Sequence, residues 1–200
     1  LPGVSKGRPL EKIGQRALPQ GEIYFDNVRV PKRFAVALKD DYYGNMTSAW
    51  SFAGTHMGQA FTGVARAGFE LALQYCHERK QGGRMLIDHQ LTRYRLGDML
   101  RRVELCRSVA RRSLAYARLS PLTHPYVTAA GKVTVTQEAM KVVDEAFQLF
   151  GGAGMSREYP IEKLYRDTRV ALIEDGENTI LTMRLGVLAQ QLYAEGWSQT

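Results

Sequence analysis

Three long stretches of this chain carry apolar residues at the spacing of an α-helix, and they take up much of its 200 residues. The first begins near Met46 and ends near Gly82, the second follows Asp88 as its candidate N-cap and ends before Pro121, and the third ends at Gly151. Two shorter helices are predicted further on, at residues 160–169 and 177–193. Long helices with short connections predict a mainly α fold, an antiparallel up-and-down helical bundle.

The first forty residues differ from the rest because glycines and prolines interrupt short apolar runs. Residues 22–30 predict two short strand pieces around a turn at Asp26 and Asn27. Two such pieces cannot form a stable sheet alone, so their partner strands are expected upstream, outside this chain. We therefore interpret residues 1–40 as the end of a truncated β domain and residues 41–200 as the helical bundle.

Composition excludes several classes of protein. The charged share of 24% and the hydrophobic share of 44% are ordinary for a globular chain, and no apolar run is long enough to cross a membrane. Cys76 and Cys106 lie in helical patterns and form no disulfide framework or zinc motif, which predicts core thiols and a cytoplasmic setting. The four histidines have no metal-ligand spacing, so no metal is expected.

Basic charge is concentrated in one segment. The chain carries a net charge of +7, and residues 91–120 hold eight arginines against two acids. These arginines surround most of the polar arc of one helix instead of forming the single basic stripe that would follow a phosphate backbone. The pattern favours a solvated face or ion pairs at a subunit interface over nucleic-acid binding.

Two local motifs have both a structural and a functional interpretation. The glycines of Gly151-Gly152-Ala153-Gly154 end a helix, and they also allow backbone N–H groups to approach a phosphate. The acidic loop, which we define as residues 174–177, places three carboxylates before a helix. Such acids cap a helix N-terminus, or one of them acts as a general base.

Several motifs, taken in order, resemble the C-terminal part of the acyl-CoA dehydrogenase flavoproteins. The resemblance covers nearly all of the chain and is carried by Phe25-Asp26-Asn27-Val28-Arg29-Val30-Pro31, Glu78-Arg79-Lys80-Gln81, His89-Gln90, Gln148-Leu149-Phe150-Gly151-Gly152-Ala153-Gly154 and Arg157-Glu158-Tyr159-Pro160-Ile161-Glu162-Lys163-Leu164-Tyr165-Arg166-Asp167. It implies an FAD enzyme of fatty-acid metabolism that oxidises the Cα–Cβ bond of an acyl-CoA thioester. A carboxylate removes the α proton while hydride passes to the flavin.

The resemblance also implies roles for particular residues. Arg79 pairs with the FAD pyrophosphate, which suits a permanently charged bidentate donor. Gln148 and the glycines after it approach the cofactor from a neighbouring subunit of a homotetramer. Asp175 stands at the position of the general base, with Glu174 as the fallback, and Gly176 flanks the substrate. The residues implied in cofactor binding are Arg79, Gln81, His89, Gln90, Gln148, Gly151, Gly152, Glu177 and Asn178.

The acidic loop departs from the family pattern, which usually reads Tyr-Glu-Gly-Thr. Here the base position holds an aspartate, and Glu177 replaces a threonine that normally hydrogen-bonds near the cofactor. Gly54 and Gly82 stand where an Arg near the substrate and an FAD-contacting Phe are usual. An aspartate base is known in relatives that oxidise nitroalkanes or cyclic acyl-CoAs. The alternative is a non-catalytic structural or partner subunit that keeps the fold.

The resemblance further implies partners. Electrons would leave to an electron-transfer flavoprotein or another acceptor, and the 200 residues alone are expected to be inactive because flavin-ring contacts lie in other domains. Chain-length or ring preference is not readable from these residues. No nucleic acid or membrane partner is expected.

Overall fold

The computed structural model describes residues 1–35, 42–119, 126–194 and Gly196. The elements in chain order are β1 (Val4–Lys6), β2 (Ile23–Phe25), α1 (Tyr42–Glu78), β3 (Lys80–Gln81), β4 (Arg84–Met85), α2 (Gln90–Leu119), α3 (Tyr126–Phe150), α4 (Ile161–Arg169) and α5 (Asn178–Ala194), with single 3₁₀ turns between some of them. This confirms the mainly α fold.

The bundle is organised around α3, which packs against α1, α2, α4 and α5. Its inward face is mostly apolar and almost fully buried, as the helical spacing predicts, with Thr128, Lys132 and Thr136 as its buried polar residues. The core residues of the three long helices are Phe61, Ala65, Ala72, Tyr75, Cys76, Leu96, Met99, Val103, Cys106, Ala110, Val135, Ala139, Val142, Val143, Ala146 and Phe150. The prediction that both cysteines are core residues is confirmed.

The N-terminal segment corrects one prediction. Strand β2 pairs antiparallel with β1, so one partner strand lies inside this chain, and further partner strands upstream remain a prediction. Residues 28–30 do not form the second strand piece, because Asn27 turns the backbone with a φ of +47° directly after β2. The two strands are exposed along their whole length. Domain bounds at 1–40 and 41–200 remain a prediction.

The start of α2 differs from the predicted one. A 3₁₀ turn at Leu86–Asp88 precedes the helix, which begins at Gln90, so Asp88 is not its N-cap. Asp88 instead forms an exposed ion pair with Arg93 at 3.4 Å. The turn orients His89 toward the β3–β4 hairpin, where the first candidate site lies.

The arginines of α2 pair largely within the chain. Asp98 binds Arg101 and Arg102, each at 2.6 Å, and Arg102 also binds Glu138 of α3. Arg95 reaches Glu145 of α3 at 3.6 Å. These pairs join α2 to α3 on their polar flank. No helix in the described ranges is long and apolar enough to span a membrane.

Candidate functional site

A cleft of about 1000 Å³ lies between the end of α1, the β3–β4 hairpin, the start of α2 and the end of α3. We call it the hairpin cleft. Six of the residues predicted to bind cofactor line it: Arg79, Gln81, His89, Gln148, Gly151 and Gly152. Residues up to 73 positions apart in the sequence therefore meet at one surface, and their contact with a cofactor remains a prediction.

Glycine geometry keeps the cleft open. The hairpin turns through Gly82 and Gly83, with φ of +61° and +81°, and Gly151 ends α3 with φ of +57°. A Cβ added at Gly151 or Gly152 would meet no atom within 4 Å, so the backbone at the end of α3 is accessible to a ligand. Both interpretations of these glycines are thus compatible, since the same residues end the helix and leave its backbone exposed.

Arg79 is the charged group of the hairpin cleft that suits an anion, and the carboxylate of Glu78, which also lines the cleft, accepts a hydrogen bond from Gln74 Nε2 at 2.9 Å. Within the described part of the chain, the exposed Arg79 guanidinium has no hydrogen bond or ion pair. His89 Nδ1 accepts from Arg84 Nε at 3.3 Å, so Nε2 carries the proton and donates to the Gln81 carbonyl at 3.0 Å. His89 therefore holds the hairpin against α2. Gln90 is exposed at the start of α2 and is not part of the cleft lining, so its predicted cofactor contact remains a prediction.

A second, smaller cavity of about 320 Å³ lies between α1, α3 and α5 and contains Asp175 in its lining. We call it the carboxylate pocket. Its wall is mainly apolar, and its residues are Trp50, Ser51, Gly54, Thr128, Ala129, Lys132, Asp175, Leu181, Arg184, Val187, Leu188 and Gln191. An apolar cavity with a few convergent polar groups is the usual form of a small-molecule site.

The acidic loop holds its two carboxylate candidates in different surroundings. Asp175 has a φ of +52° and lines the carboxylate pocket with its side chain exposed. Glu174 is half-buried and accepts a hydrogen bond from Gln15 Nε2 at 3.1 Å. The loop therefore presents Asp175 to the pocket and ties Glu174 to the N-terminal segment.

Glu177 and Asn178, both predicted to bind cofactor, have internal partners at the start of α5. Glu177 Oε2 accepts from the backbone N–H groups of Thr179 and Ile180 at 2.8 and 3.1 Å, and these bonds lower the pKa of Glu177. The Asn178 side chain is 5% exposed and contacts Lys132 and Thr136. The predicted contact of either residue with a cofactor stays a prediction.

Three residues of the carboxylate pocket were missed by the sequence analysis. Lys132 lies at an inward position of α3, Trp50 lies on α1, and the Arg184 guanidinium is 5.8 Å from the centre of the Trp50 ring. A lysine within an apolar periodicity is the one signal that could have been found. Gly54 lies in the same wall, directly opposite this lysine. A Cβ at Gly54 would lie 3.5 Å from Lys132 Cβ, in van der Waals contact.

The two cavities lie at opposite ends of α3. Lys132 and Gln148 are sixteen residues apart on this helix, which corresponds to about 24 Å along its axis. One chain therefore brings the predicted cofactor residues and the predicted base to separate places. In the described ranges, no group of three or more acidic, histidine or cysteine side chains could hold a metal ion.

Comparison with known proteins identifies the family. Residues 48–189 match the model of the acyl-CoA dehydrogenase C-terminal domain. Cyclohexane-1-carbonyl-CoA dehydrogenase of Geobacter metallireducens is 29% identical over 97% of this chain and 50% of its own length. Cyclohex-1-ene-1-carbonyl-CoA dehydrogenase of Syntrophus aciditrophicus is 27% identical over 92% of this chain and 45% of its own length.

Solved structures agree with this family assignment. The butyryl-CoA dehydrogenase of Megasphaera elsdenii superposes with a TM-score of 0.88 at 26% identity, over 94% of this chain and 49% of that one. The chain thus spans about half the length of the relatives that it matches. With the family model matching most of its length, the chain belongs to the acyl-CoA dehydrogenase C-terminal domain family.

Proposed function

We propose that this chain is the C-terminal bundle of an FAD-dependent acyl-CoA dehydrogenase-like oxidoreductase, with Asp175 as the general base. The observation that carries the proposal is the position of Asp175, which lines a mainly apolar pocket while the Glu174 side chain is bound to Gln15. A base of this kind must reach the proton on the carbon next to a thioester carbonyl. FAD, when bound, would accept the hydride from the neighbouring carbon.

The hairpin cleft fits the phosphate end of that cofactor. Its residues supply the Arg79 guanidinium, which has no partner among the described residues, and glycine backbone with open space where a side chain would stand. Arg79 would bind the pyrophosphate through paired N–H donors, and Gln148 would approach the adenosine end. The hydrogen bonds of His89 would keep the hairpin in place beneath the cofactor.

A ring-containing acyl-CoA is the substrate class that we favour. Two relatives are named for cyclohexane and cyclohexene carbonyl-CoA substrates. An aspartate is one methylene shorter than the usual glutamate, so the carboxylate lies closer to the backbone and leaves more room for a ring at the α carbon. The electron acceptor would be an electron-transfer flavoprotein or a similar carrier.

The test is flavin reduction by a panel of straight-chain, branched and cyclic acyl-CoAs in the FAD-loaded protein. Asp175→Asn keeps the shape of the side chain and tolerates the left-handed backbone, but it cannot accept the proton. We expect flavin reduction to slow by about 10²–10⁴-fold while FAD stays bound. Glu174→Gln is the matched control, and it should cost much less.

Two outcomes would change the assignment. If Asp175→Asn reduces flavin at the normal rate and Glu174→Gln does not, Glu174 is the base. If no acyl-CoA reduces the flavin of the unmodified protein, the chain is the non-catalytic partner subunit that the departures in the acidic loop also allow.

A further inference from the structure

One lysine lies inside the bundle, and the proposed mechanism does not use it. Lys132 is 1% exposed and is among the largest fully buried side chains of the described residues. Its ammonium donates to the Gly176 carbonyl at 2.7 Å and to Asn178 Oδ1 at 2.8 Å. Both acceptors are neutral oxygens, and both belong to the segment that carries Asp175.

Burial of this ammonium has a desolvation cost, which its two hydrogen bonds to neutral oxygens offset only in part. Burial lowers the pKa of Lys132, and the negative charges of Asp175, Glu174 and Glu177 oppose that shift. An apolar side chain of similar length would fill the same core volume without the desolvation cost. Packing alone therefore does not account for a lysine at this position of α3.

The segment that Lys132 holds has unusual backbone geometry. Asp175 and Gly176 have φ of +52° and +102°, so two successive residues adopt left-handed conformations. A non-glycine residue in this region needs support from its surroundings. The bond to the Gly176 carbonyl lies directly after the two residues, and the bond to Asn178 lies at the first residue of α5.

Thr136, one turn further along α3, adds to the hydrogen bonds by which Lys132 holds the acidic loop; we call these bonds together the anchor. Its hydroxyl donates to the Lys132 carbonyl at 2.9 Å and accepts from Asn178 Nδ2 at 3.0 Å. The Asn178 amide thus bonds to two side chains of α3, one through each end. The acidic loop is in this way fixed to the central helix of the bundle.

We propose that Lys132 is a positioning residue, whose buried ammonium fixes the Gly176 carbonyl and the Asn178 side chain and so sets the direction of the Asp175 carboxylate. The inference rests on the proposed role of Asp175 as the base. A displaced base loses its reach to the α proton, and an error of about 1 Å can slow a reaction by about 100-fold.

The test compares Lys132→Met with Lys141→Met in the FAD-loaded protein. Lys141 is the matched control because it lies on the same helix, and it is exposed and paired with Glu138 at 2.6 Å. We expect Lys132→Met to slow flavin reduction by about 10- to 100-fold, with acyl-CoA affinity and FAD retention little changed. A general loss of packing would instead weaken binding and FAD retention together.

Asn178→Ala is the second variant and decides the matter if Lys132→Met does not fold. It leaves the bond from Lys132 to Gly176 in place, so a smaller decrease in the reduction rate is expected. The proposal is overturned if a folded Lys132→Met protein reduces flavin within twofold of the rate of the unmodified protein. If Lys132→Met is unfolded, the same result in Asn178→Ala overturns it.

Hydrogen exchange separates this inference from the proposed function. Amides of residues 174–181 should exchange faster in Lys132→Met than in Lys141→Met, whether or not the protein oxidises an acyl-CoA. Faster exchange with no flavin reduction in the unmodified protein would leave Lys132 as the anchor of the loop and reject the dehydrogenase function. Unchanged exchange would reject the anchor itself.

Discussion

Arg79 is the side chain on which cofactor retention should depend most. Its guanidinium lies in the hairpin cleft and has no hydrogen bond or ion pair with the described residues, so a bound pyrophosphate would be its main charged contact. We expect Arg79→Ala to lose FAD during gel filtration, measured as flavin absorbance per protein. Arg101→Ala is the control, because Arg101 is exposed and bound to Asp98. Equal FAD retention in the two variants would contradict the assignment.

The side chains of the two cavities differ in how well the sequence reveals them. Arg79, Gln148 and Gly151 were found because they sit in contiguous motifs with a recognisable order. Lys132 was missed because its role depends on Asn178, which is 46 residues away and meets it only when α5 packs on α3. Sequence spacing reports local geometry, and it does not report pairs created by packing.

The N-terminal segment docks on α4 through a close backbone contact at Gly14. The Gln15 amide donates to Asp167 Oδ1 at 2.5 Å, and Arg166 Nη1 donates to the Ile13 carbonyl at 2.7 Å. A Cβ at Gly14 would lie 2.2 Å from the Arg166 carbonyl oxygen, which belongs to the helix backbone and cannot rotate away.

Gly14→Ala should therefore release this segment, at a cost of about 1–3 kcal/mol in docking. We expect faster trypsin cleavage after Arg16, with the melting temperature of the helices little changed. Gly7→Ala is the control, because its added Cβ would have its nearest neighbour at an ordinary 3.4 Å. Equal cleavage rates in both variants would show that the contact is not required.

Glu138 links α2 and α3, and it makes this contact sensitive to acid. Burial would raise the pKa of Glu138, but hydrogen bonds from Lys141 and Arg102 outweigh it and hold the pKa below its ordinary value of 4.5. A lowered carboxyl pKa stabilises the fold above the unfolded value, and that stabilisation is lost as the pH falls through the folded value.

We therefore expect stability against urea to fall below about pH 4.5, and Glu138→Gln to remove part of that dependence. At neutral pH, Glu138→Gln should cost roughly 1–3 kcal/mol, since the pair is largely shielded from water. The exposed Glu158 provides a control substitution to Gln. A Glu138→Gln protein with unchanged stability and acid dependence would show that the link is not stabilising.

How far the sequence predicts the elements depends on their length. The three long helices were predicted because many apolar positions repeat, and the structure extends two of them toward their N-termini, to Tyr42 and Tyr126. The start of α2 was misplaced because Asp88 has the composition of an N-cap while a 3₁₀ turn occupies that position. The pairing of β1 with β2 was missed because three-residue strands carry almost no periodic signal.

The outer face of α5 is an apolar surface that is exposed in this chain. Ile180, Met183 and Val187 recur at helical spacing and are 52%, 66% and 57% exposed. This surface agrees with the expectation of a homotetramer, in which bundles meet at the centre. Light scattering on the intact protein at micromolar concentration should show an assembly, and a monomer would contradict the expectation.

The distance between the two cavities allows a sharper test of the assembly. If one FAD meets Arg79 of one subunit and Asp175 of another, a mixture of Arg79→Ala and Asp175→Asn chains should regain activity. Each mixed pair would then contain one site with both residues intact. Co-expressed variants should exceed the activity of either alone, and no recovery in a confirmed mixed assembly would place both residues at the same site.

The two buried thiols allow the opening of the helical core to be measured. Cys76 and Cys106 are 0% exposed on α1 and α2, and burial raises the pKa of Cys106 to about 11. A thiol reagent needs both access and the thiolate, so neither sulfur reacts while the helices stay together. Alkylation of the native protein thus records how often the core opens, and it assigns that opening to the helix that carries the labelled sulfur.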